Sequence, residues 1–343
     1  MLYFTGDICL CDKAFDIGFG IGSQVAKGAI EPFSKLNKKD DDLWVGNFEA
    51  VVSDITNRND YSKTSFRIES DTFDKSASII DYWGVANNHV MEHGVEAYQQ
   101  MVDVLSKKSN GVFGSVEKKS VCFDYQGKKI AVTGMCLRAE ETKNLPLYWH
   151  LPDFCDIENE YRHVYGADVK IAYIHWGVEY VNYPSVEQVK FAHWLVDLGY
   201  DLVVGMHSHV LQGFEIYKGK HIFYSLGNFV FNMAYEPSKY SAVISYDVEN
   251  KKVGFQYVHI GKDCCPKLVE EEQMPLEFRF ETLNKMIGKE KNIEKYISDY
   301  KKGLKAYRKS NNRAVLRNVF KYKPSIILKM LLGFTKRRLH YAH

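Results

Sequence analysis

Short apolar runs, most of them closed by Gly, Asn or His, recur along the chain as far as about Gly261. Leu2–Thr5 ends at Gly6-Asp7, Leu43–Phe48 at Glu49, and Ile79–Ala86 at Asn87-Asn88-His89. Lys128–Met135 follows, then Val169–Ile174 ending at His175-Trp176-Gly177 and Asp201–Val204 ending at Gly205-Met206-His207-Ser208-His209. His221–Leu226 closes at Gly227-Asn228. Runs of this length bounded by turn residues predict strands buried on both faces. Helical spacing replaces them from about Val95 to Lys107 and over Val186–Leu198. Ser241–Val258 reads as a hairpin turning at Glu249-Asn250-Lys251, and Gly18-Phe19-Gly20-Ile21-Gly22 as a loop. Strands interleaved with helices predict an α/β fold. After Gly261 an acidic Glu270-Glu271-Glu272 cluster leads into helical patterns. The expected organisation is one domain over 1–262 and a mostly helical extension over 263–343, basic from residue 300.

The polar residues that close the strands share a chemistry. Asp7, Glu49, Asn88, His175, His207 and His209 stand at five strand ends. In an α/β sheet the carboxyl ends of strands form the rim at which ligands bind. A lone Asp or Asn there is a turn former, and a lone His is met by a hydrogen bond. Six groups able to hold a cation are a different observation. His207-x-His209 adds to it, since alternate residues leaving a strand can turn toward one cavity. Two carboxylates, one amide oxygen and three imidazoles make a mixed O/N set suited to one or two divalent ions, Mn, Fe, Zn or Mg. Glu49 is a candidate bridge between two cations about 3.5–4 Å apart, which would acidify a bound water toward a pKa of ~7. His89, beside Asn88, would project next to the ions, as suits a general acid or a cation facing a phosphoryl oxyanion. Asn47, Asn87, Trp176, Glu179 and Asn228 are candidates for touching substrate or orienting these groups. Trp176 with Tyr180 reads either as a sugar-stacking wall or as core. Glu179 reads as a carboxylate that orients an imidazole or as a surface residue, and Asn228 as a substrate contact or a turn cap.

Charge adds a polarity. The net charge is only +2, but 300–343 holds thirteen Lys or Arg and no Asp or Glu, so 1–299 carries −11 against +13 for the tail. Such a tail predicts a polyanionic partner, an anionic polymer or lipid headgroups, with no specific nucleic-acid partner indicated. Ile327, Met330, Leu331 and Phe334 recur at helical spacing after Pro324, beside Lys329, Lys336, Arg337 and Arg338. They read as an amphipathic helix at an anionic membrane surface, within 313–343, or as a helix docked on the main domain. Seven cysteines without a C-x-x-C pattern exclude an even disulfide framework and fit a reducing compartment. Cys9-x-Cys11 reads as small buried hydrophobes, with a ligand role as the alternative. No secretory leader opens the chain, and no apolar run approaches the ~18 residues of a membrane span. The expected location is cytoplasmic, or the inner membrane face where the tail engages lipid.

Several of these residues also carry a family resemblance. Gly6-Asp7, Asn47-Phe48-Glu49, Ala86-Asn87-Asn88-His89 with Gly94, His175-Trp176-Gly177-x-Glu179-Tyr180, Gly205-Met206-His207-Ser208-His209-Val210-x-Gln212-Gly213 and Tyr224-Ser225-Leu226-Gly227-Asn228-Phe229 occur in this order. Over roughly residues 1–260 the array resembles the CapA family of capsule or poly-γ-glutamate biosynthesis proteins. That family is similar in fold to the calcineurin-like metallophosphatases, a sandwich of two β-sheets flanked by helices with a two-metal site at one edge. The resemblance implies that Asp7 belongs to the first ligand motif, that Glu49 bridges, and that Asn88 and His175 hold the second metal. His207 and His209 would divide between the two ions, and His89 would assist the leaving group. The chain departs from the pattern at Cys9, where metallophosphatases usually place His, and at Asp12, where relatives often carry Arg. It also has Glu92 in place of Asp and Ser208 in place of Pro. Many members of the family are membrane-anchored, and this sequence shows no anchor.

No G-x-x-x-x-G-K-[ST] cradle and no G-x-S-x-G elbow occurs, which counts against ATP-driven ligation and serine hydrolysis. The expected function is therefore a divalent-metal-dependent hydrolase of a phosphoester or related bond, acting through a metal-bound water in exopolysaccharide or poly-γ-glutamate biosynthesis. Its substrate would be an anionic polymer or a phosphorylated glycan. The alternatives are a noncatalytic assembly factor and an amide-bond enzyme of poly-γ-glutamate metabolism.

Overall fold

Alternation along the central strands sets the layering in the computed structural model, which describes residues 1–58, 65–76, 78–138, 146–290 and 292–328. Leu2 and Phe4 of the Leu2–Ile8 strand face one way with Val45, Tyr82 and Phe113 of its neighbours. They meet Ile130, Val132, Ile171, Tyr173, Leu202 and Val204 from a second sheet, and the two sets form one buried layer between the sheets. The opposite faces are covered by helices. Val95–Lys108 packs Tyr98, Met101 and Leu105 toward Trp44 and Trp83. On the other side Phe154–Val164 and Val186–Leu198 bury Ile157, Ala192 and Leu195 against Ala172, Ile174 and Val203. The result is the α/β sandwich of two sheets flanked by helices that the resemblance implies.

In the first sheet the spatial order is Pro266–Val269, Lys252–Ile260, Tyr240–Asp247, Leu2–Ile8, Leu43–Phe48, Tyr82–Gly84 and Gly111–Phe113, with Asn228–Val230 joining Leu2–Ile8. The second runs Phe214–Tyr217, Lys220–Phe223, Leu202–Met206, Val169–His175, Lys128–Cys136 and Ser120–Tyr125. Its parallel core places Met206 and Cys136 on either side of His175. In the first sheet Asp7 lies opposite Asn47 on one side and Asn228 on the other. The carboxyl ends of both parallel cores open on one edge, where the His207 amide reaches the Asp7 carboxylate.

Some elements differ from expectation. The Ile79–Ala86 run is a strand only over Tyr82–Gly84, with Ile80 and Val85 buried just beyond its ends. Gly20 ends the glycine-rich loop, and Ile21 opens a short helix, Ile21–Ala26, by burying its side chain. Past residue 262 the chain first adds the edge strand Pro266–Val269 to the main sheet. It then becomes helical, with the long Ile293–Arg317 helix, a short turn to Lys321 and a further helical stretch over 324–328, where the described part ends. Asn292 caps the long helix by accepting from the Glu294 and Lys295 amides. Among the described residues no helix is long and apolar enough to cross a membrane. Most of the expected amphipathic tail, from Lys329 to Arg338, lies outside the described residues.

Candidate metal centre

Asp7 reaches the common edge because Gly6 lets two strands close together. A Cβ on Gly6 would overlap the Gly227 carbonyl, and the Asp7 amide donates to that same oxygen at 3.0 Å. The carboxylate is then fixed from two sides. Asn47 donates to Oδ1 at 2.8 Å and the His207 amide to Oδ2 at 3.1 Å. Asn87 in turn donates to Asn47 Oδ1 at 3.1 Å and to the Phe48 carbonyl at 2.9 Å, and accepts from the His89 amide at 3.1 Å. Asn47 and Asn87 are buried and spend their amides on tying strand ends together.

Glu49 is the meeting point. Its Oε1 lies 3.7 Å from His175 Nε2, 3.6 Å from His209 Nε2 and 3.7 Å from His89 Nε2. Two groups of ligand atoms, each within 4.8 Å of one another, share this residue: Glu49 with His175 and His207, and Asp7 with Glu49 and His209. Asn88 Oδ1 joins the first group, 2.9 Å from His175 Nε2. Asn228 Oδ1 sits 2.9 Å from His209 Nδ1, which turns the other nitrogen toward Glu49. Asn228, fully buried, is thus an orienting group and is not presented to a substrate. Both His207 (φ 94°) and His209 (φ 56°) have left-handed backbones, a strained choice for non-glycine residues that clusters at functional sites.

The polar accounting of this pocket is incomplete without cations. Both Glu49 oxygens and His207 Nδ1 are buried with no hydrogen-bond partner, a costly state for a carboxylate. Burial, and then the charge of Asp7, push the Glu49 carboxyl well above its usual range. Burial likewise raises Asp7 to about 6, against the pull of its Asn47 and His207 hydrogen bonds. The imidazoles shift the other way. Burial and then the neighbouring His209 hold His175 well below its usual value, and burial with His175 does the same to His207. Burial takes His209 down to about 3 despite Asn228. Neutral imidazoles around a carboxylate that lacks donors, with a second carboxylate beside it, are what a divalent ion requires. The residues present therefore fit the one or two ions expected.

His89 stands beside this set. Its ring stacks on Phe66 (centroids 3.7 Å apart, 5° between planes), and its Nδ1 meets the Glu92 carboxylate. Burial would raise Glu92, but the His89 imidazole and Arg58 bring it to about 2. Glu92 thereby orients His89. Trp176 is largely core, its Nε1 donating to the Tyr224 carbonyl at 2.8 Å with only 2% of the residue exposed, and it also lines a cavity beside His207. Glu179 does not touch an imidazole directly. It pairs with Arg138 at 3.1 Å, and that guanidinium lies 3.0 Å from His207 Nε2. Cys9 is fully buried in the core with Cys11 and belongs to neither ligand group.

Cations near this site carry no motif in the sequence. Lys13 Nζ is buried among aromatic rings, 3.2 Å from the Phe66 centroid and 3.7 Å from that of Phe231, with no hydrogen-bond acceptor. Asp12, one residue earlier, is consumed locally by the Gly18 and Ser23 amides at 2.8 and 2.9 Å. Position 12 is thus a loop brace, and the buried positive charge sits one residue on, at Lys13. Another such cation is Arg138, whose contact with His207 joins residues 69 apart.

A family model for bacterial capsule synthesis proteins (PGA_cap) matches residues 1–233, and the chain belongs to that family. It is 26% identical to the PGA biosynthesis protein CapA of Bacillus subtilis over 87% of this chain and 80% of that one. It is 29% identical to the capsule biosynthesis protein CapA of Bacillus anthracis, over 72% of this chain and 63% of that longer relative. Among solved structures, a phosphatase from Mycoplasma pneumoniae aligns at a TM-score of 0.46 and 14% identity, covering 76% of this chain and 92% of that one.

Proposed function

We propose that this protein is a divalent-metal-dependent hydrolase of a phosphoester or related bond, working in the assembly of a capsule or other surface polymer. The supporting observation is the pair of ligand groups that meet at Glu49, whose two oxygens have no protein partner. Asp7, Glu49, Asn88, His175, His207 and His209 would hold one or two ions, Mn, Fe, Zn or Mg. Such ions, when bound, supply Lewis acidity and acidify a water to act as nucleophile at neutral pH. The chain's own residues do the rest. Asn47 and the His207 amide hold Asp7, and Asn228 holds His209, so the acceptor atoms stay in place without substrate. Glu92 fixes the His89 ring with Nε2 toward the Glu49 side, placing a proton donor for the departing oxygen. A general acid so placed contributes about 10²–10⁴-fold. The substrate would be an anionic polymer or a phosphorylated glycan, drawn in by the basic C-terminal segment, which would also hold the protein at the inner face of an anionic membrane.

The test is elemental analysis of protein purified without chelator, together with turnover of a panel of phosphodiesters and sugar phosphates. Wild type should carry at least one divalent ion per chain and turn over part of the panel. His207→Ala should lose metal and at least about 100-fold of the rate while melting as a folded protein. Full turnover by that variant overturns the reading. Inertness toward every ester with at most one weakly held ion would instead favour an assembly factor. Release of glutamate oligomers without phosphate would favour an amide-bond enzyme.

A further inference from the structure

A cavity of about 750 Å³ adjoins the metal centre, and the ligand groups above do not use it. Arg138 and His207 stand at one end of it. His207 is also a candidate metal ligand, so anything filling the cavity lies beside the ions. Its sides come from two helices, Phe154 at the start of Phe154–Val164, and Phe191 and Trp194 of Val186–Leu198. Tyr300 of Ile293–Arg317 also lines it.

The chemistry of the walls constrains the occupant. Phe154 and Trp194 meet edge to face at 4.6 Å, and Phe191 lies 5.5 Å from Trp194. Phe154 nevertheless remains 57% exposed, so an apolar group entering the cavity would cover ring surface that the fold leaves in water. The lining cations Arg138 and Lys190 are matched by Glu179 and Glu187, so the walls carry no net positive charge to hold a run of carboxylates or phosphates. The His207 end is where the candidate metal ligands adjoin the cavity, so an anionic group would sit there. The volume is that of a site for a drug-sized molecule and far exceeds a methyl group.

We propose that this cavity receives an apolar arm of the substrate: a phosphoester whose phosphoryl group lies at the metal edge and whose non-departing side is a hydrocarbon or aryl group packed against Phe154, Phe191 and Trp194. The assignment rests on the phosphoesterase reading for its phosphoryl end. The polymer or glycan then occupies the departing side, and the apolar arm anchors the ester. Alkyl and aryl arms share this chemistry, and the experiment separates them.

Methyl-, phenyl- and n-decylphosphonate, which cannot be hydrolysed, are titrated into the full-length protein by calorimetry. In parallel, methyl, phenyl and n-decyl 4-nitrophenyl phosphodiesters, which share one leaving group, are assayed for turnover. The phenyl or the decyl phosphonate should bind at least about tenfold more tightly than the methyl one, and the corresponding diester should show a similar advantage in kcat/KM. Phe154→Ser, at a half-exposed position that leaves the core intact, and Trp194→Ala should each shrink that ratio by about fivefold or more. The methyl diester should keep its kcat/KM within about twofold in both variants. A preference for decyl assigns an alkyl arm, and a preference for phenyl an aryl one. Equal binding of all three phosphonates, or a ratio that survives both substitutions, overturns the proposal even if the methyl diester is hydrolysed well. Discrimination among the phosphonates without turnover of any diester supports the cavity assignment and counts against the hydrolase.

Discussion

Glu49 concentrates the electrostatic cost of this fold, a 0% exposed carboxylate with no donor to either oxygen. Its folded pKa lies well above 4.5, so its contribution to metal-free stability is present below that value and is lost as pH rises through the folded pKa. Asp7 loses its share between 3.8 and about 6. The histidines act in the opposite sense: His209, at about 3 against an ordinary 6.5, costs stability as pH falls through that interval. Within this cluster the histidines therefore favour the metal-free fold as pH rises toward 6.5, while Asp7 opposes it up to about 6 and Glu49 opposes it as it ionises on the alkaline side of its ordinary value. Glu49→Gln should remove that alkaline loss and raise metal-free stability by roughly 1–3 kcal/mol, while abolishing stabilisation by added metal. Thermal melts in chelator across this pH range check it, and a variant that melts below wild type contradicts it. Burial holds the protons of both carboxylates to higher pH than usual, so metal binding should displace more of them as pH falls. Calorimetry in buffers of different ionisation enthalpy should find that release growing as pH falls from 7 toward 5, where Asp7, at about 6, still holds its proton. A release that does not change over this interval would place the ion away from Asp7. That these residues converge was legible in the chain, since strand ends of a parallel sheet share one rim whatever the loops do. Lys13 and Arg138 were not. Whether a lysine is solvated or buried depends on rings from Phe66 and Phe231, brought together only by folding.

At the scale of elements, legibility followed burial. Leu43–Phe48 and Val186–Leu198 match their predicted limits because continuous apolar or helical patterns are written where packing is one-sided or complete. Ser120–Tyr125 and Pro266–Val269 leave no such trace, being edge strands with exposed or half-buried positions. The Ile293–Arg317 helix was foreseen as helical, but its docking was not. Tyr307 stacks on Tyr180 at 4.4 Å, and Tyr180 faces His209 at 6.3 Å, so the helix is two ring contacts from the metal edge. Gly303 makes this approach possible, for a Cβ there would sit 2.7 Å from the Tyr180 carbonyl oxygen. Helix propensity favours Ala over Gly by about 1 kcal/mol. Here the clash should win, because Tyr180 has a left-handed backbone (φ 65°) and rings on both sides, leaving it no room to retreat. Gly303→Ala should cost about 1–3 kcal/mol and open the helix to limited proteolysis. Stabilisation by about the propensity difference would mean that the contact is loose.

Across the whole molecule, the charge asymmetry of the sequence becomes a direction. Between residues 301 and 317 the helix exposes seven cations: Lys301, Lys302, Lys305, Arg308, Lys309, Arg313 and Arg317. Lys302 is partly spent on Asp299 at 2.8 Å. The inner side of the same helix carries Tyr296, Gly303 and Tyr307 against the body. A helix of this length spans roughly 37 Å at about 1.5 Å per residue, long enough for its exposed cations to line up along an extended polyanion. Attraction of this kind falls away once separations exceed a Debye length of about 8 Å at physiological salt, and near neighbours along the helix act together. Lys305→Glu, Arg308→Glu and Lys309→Glu combined should lower affinity for poly-γ-glutamate or for anionic vesicles by at least about tenfold at low salt, with the difference fading near 1 M. These positions face solvent, so melting and metal content should hold. Turnover of a small phosphodiester should also hold, because a small ester needs only the pocket. Loss confined to vesicles would make the helix a membrane contact, and loss confined to the polymer would make it a substrate track. Unchanged affinity for both would sever the basic helix from recognition altogether.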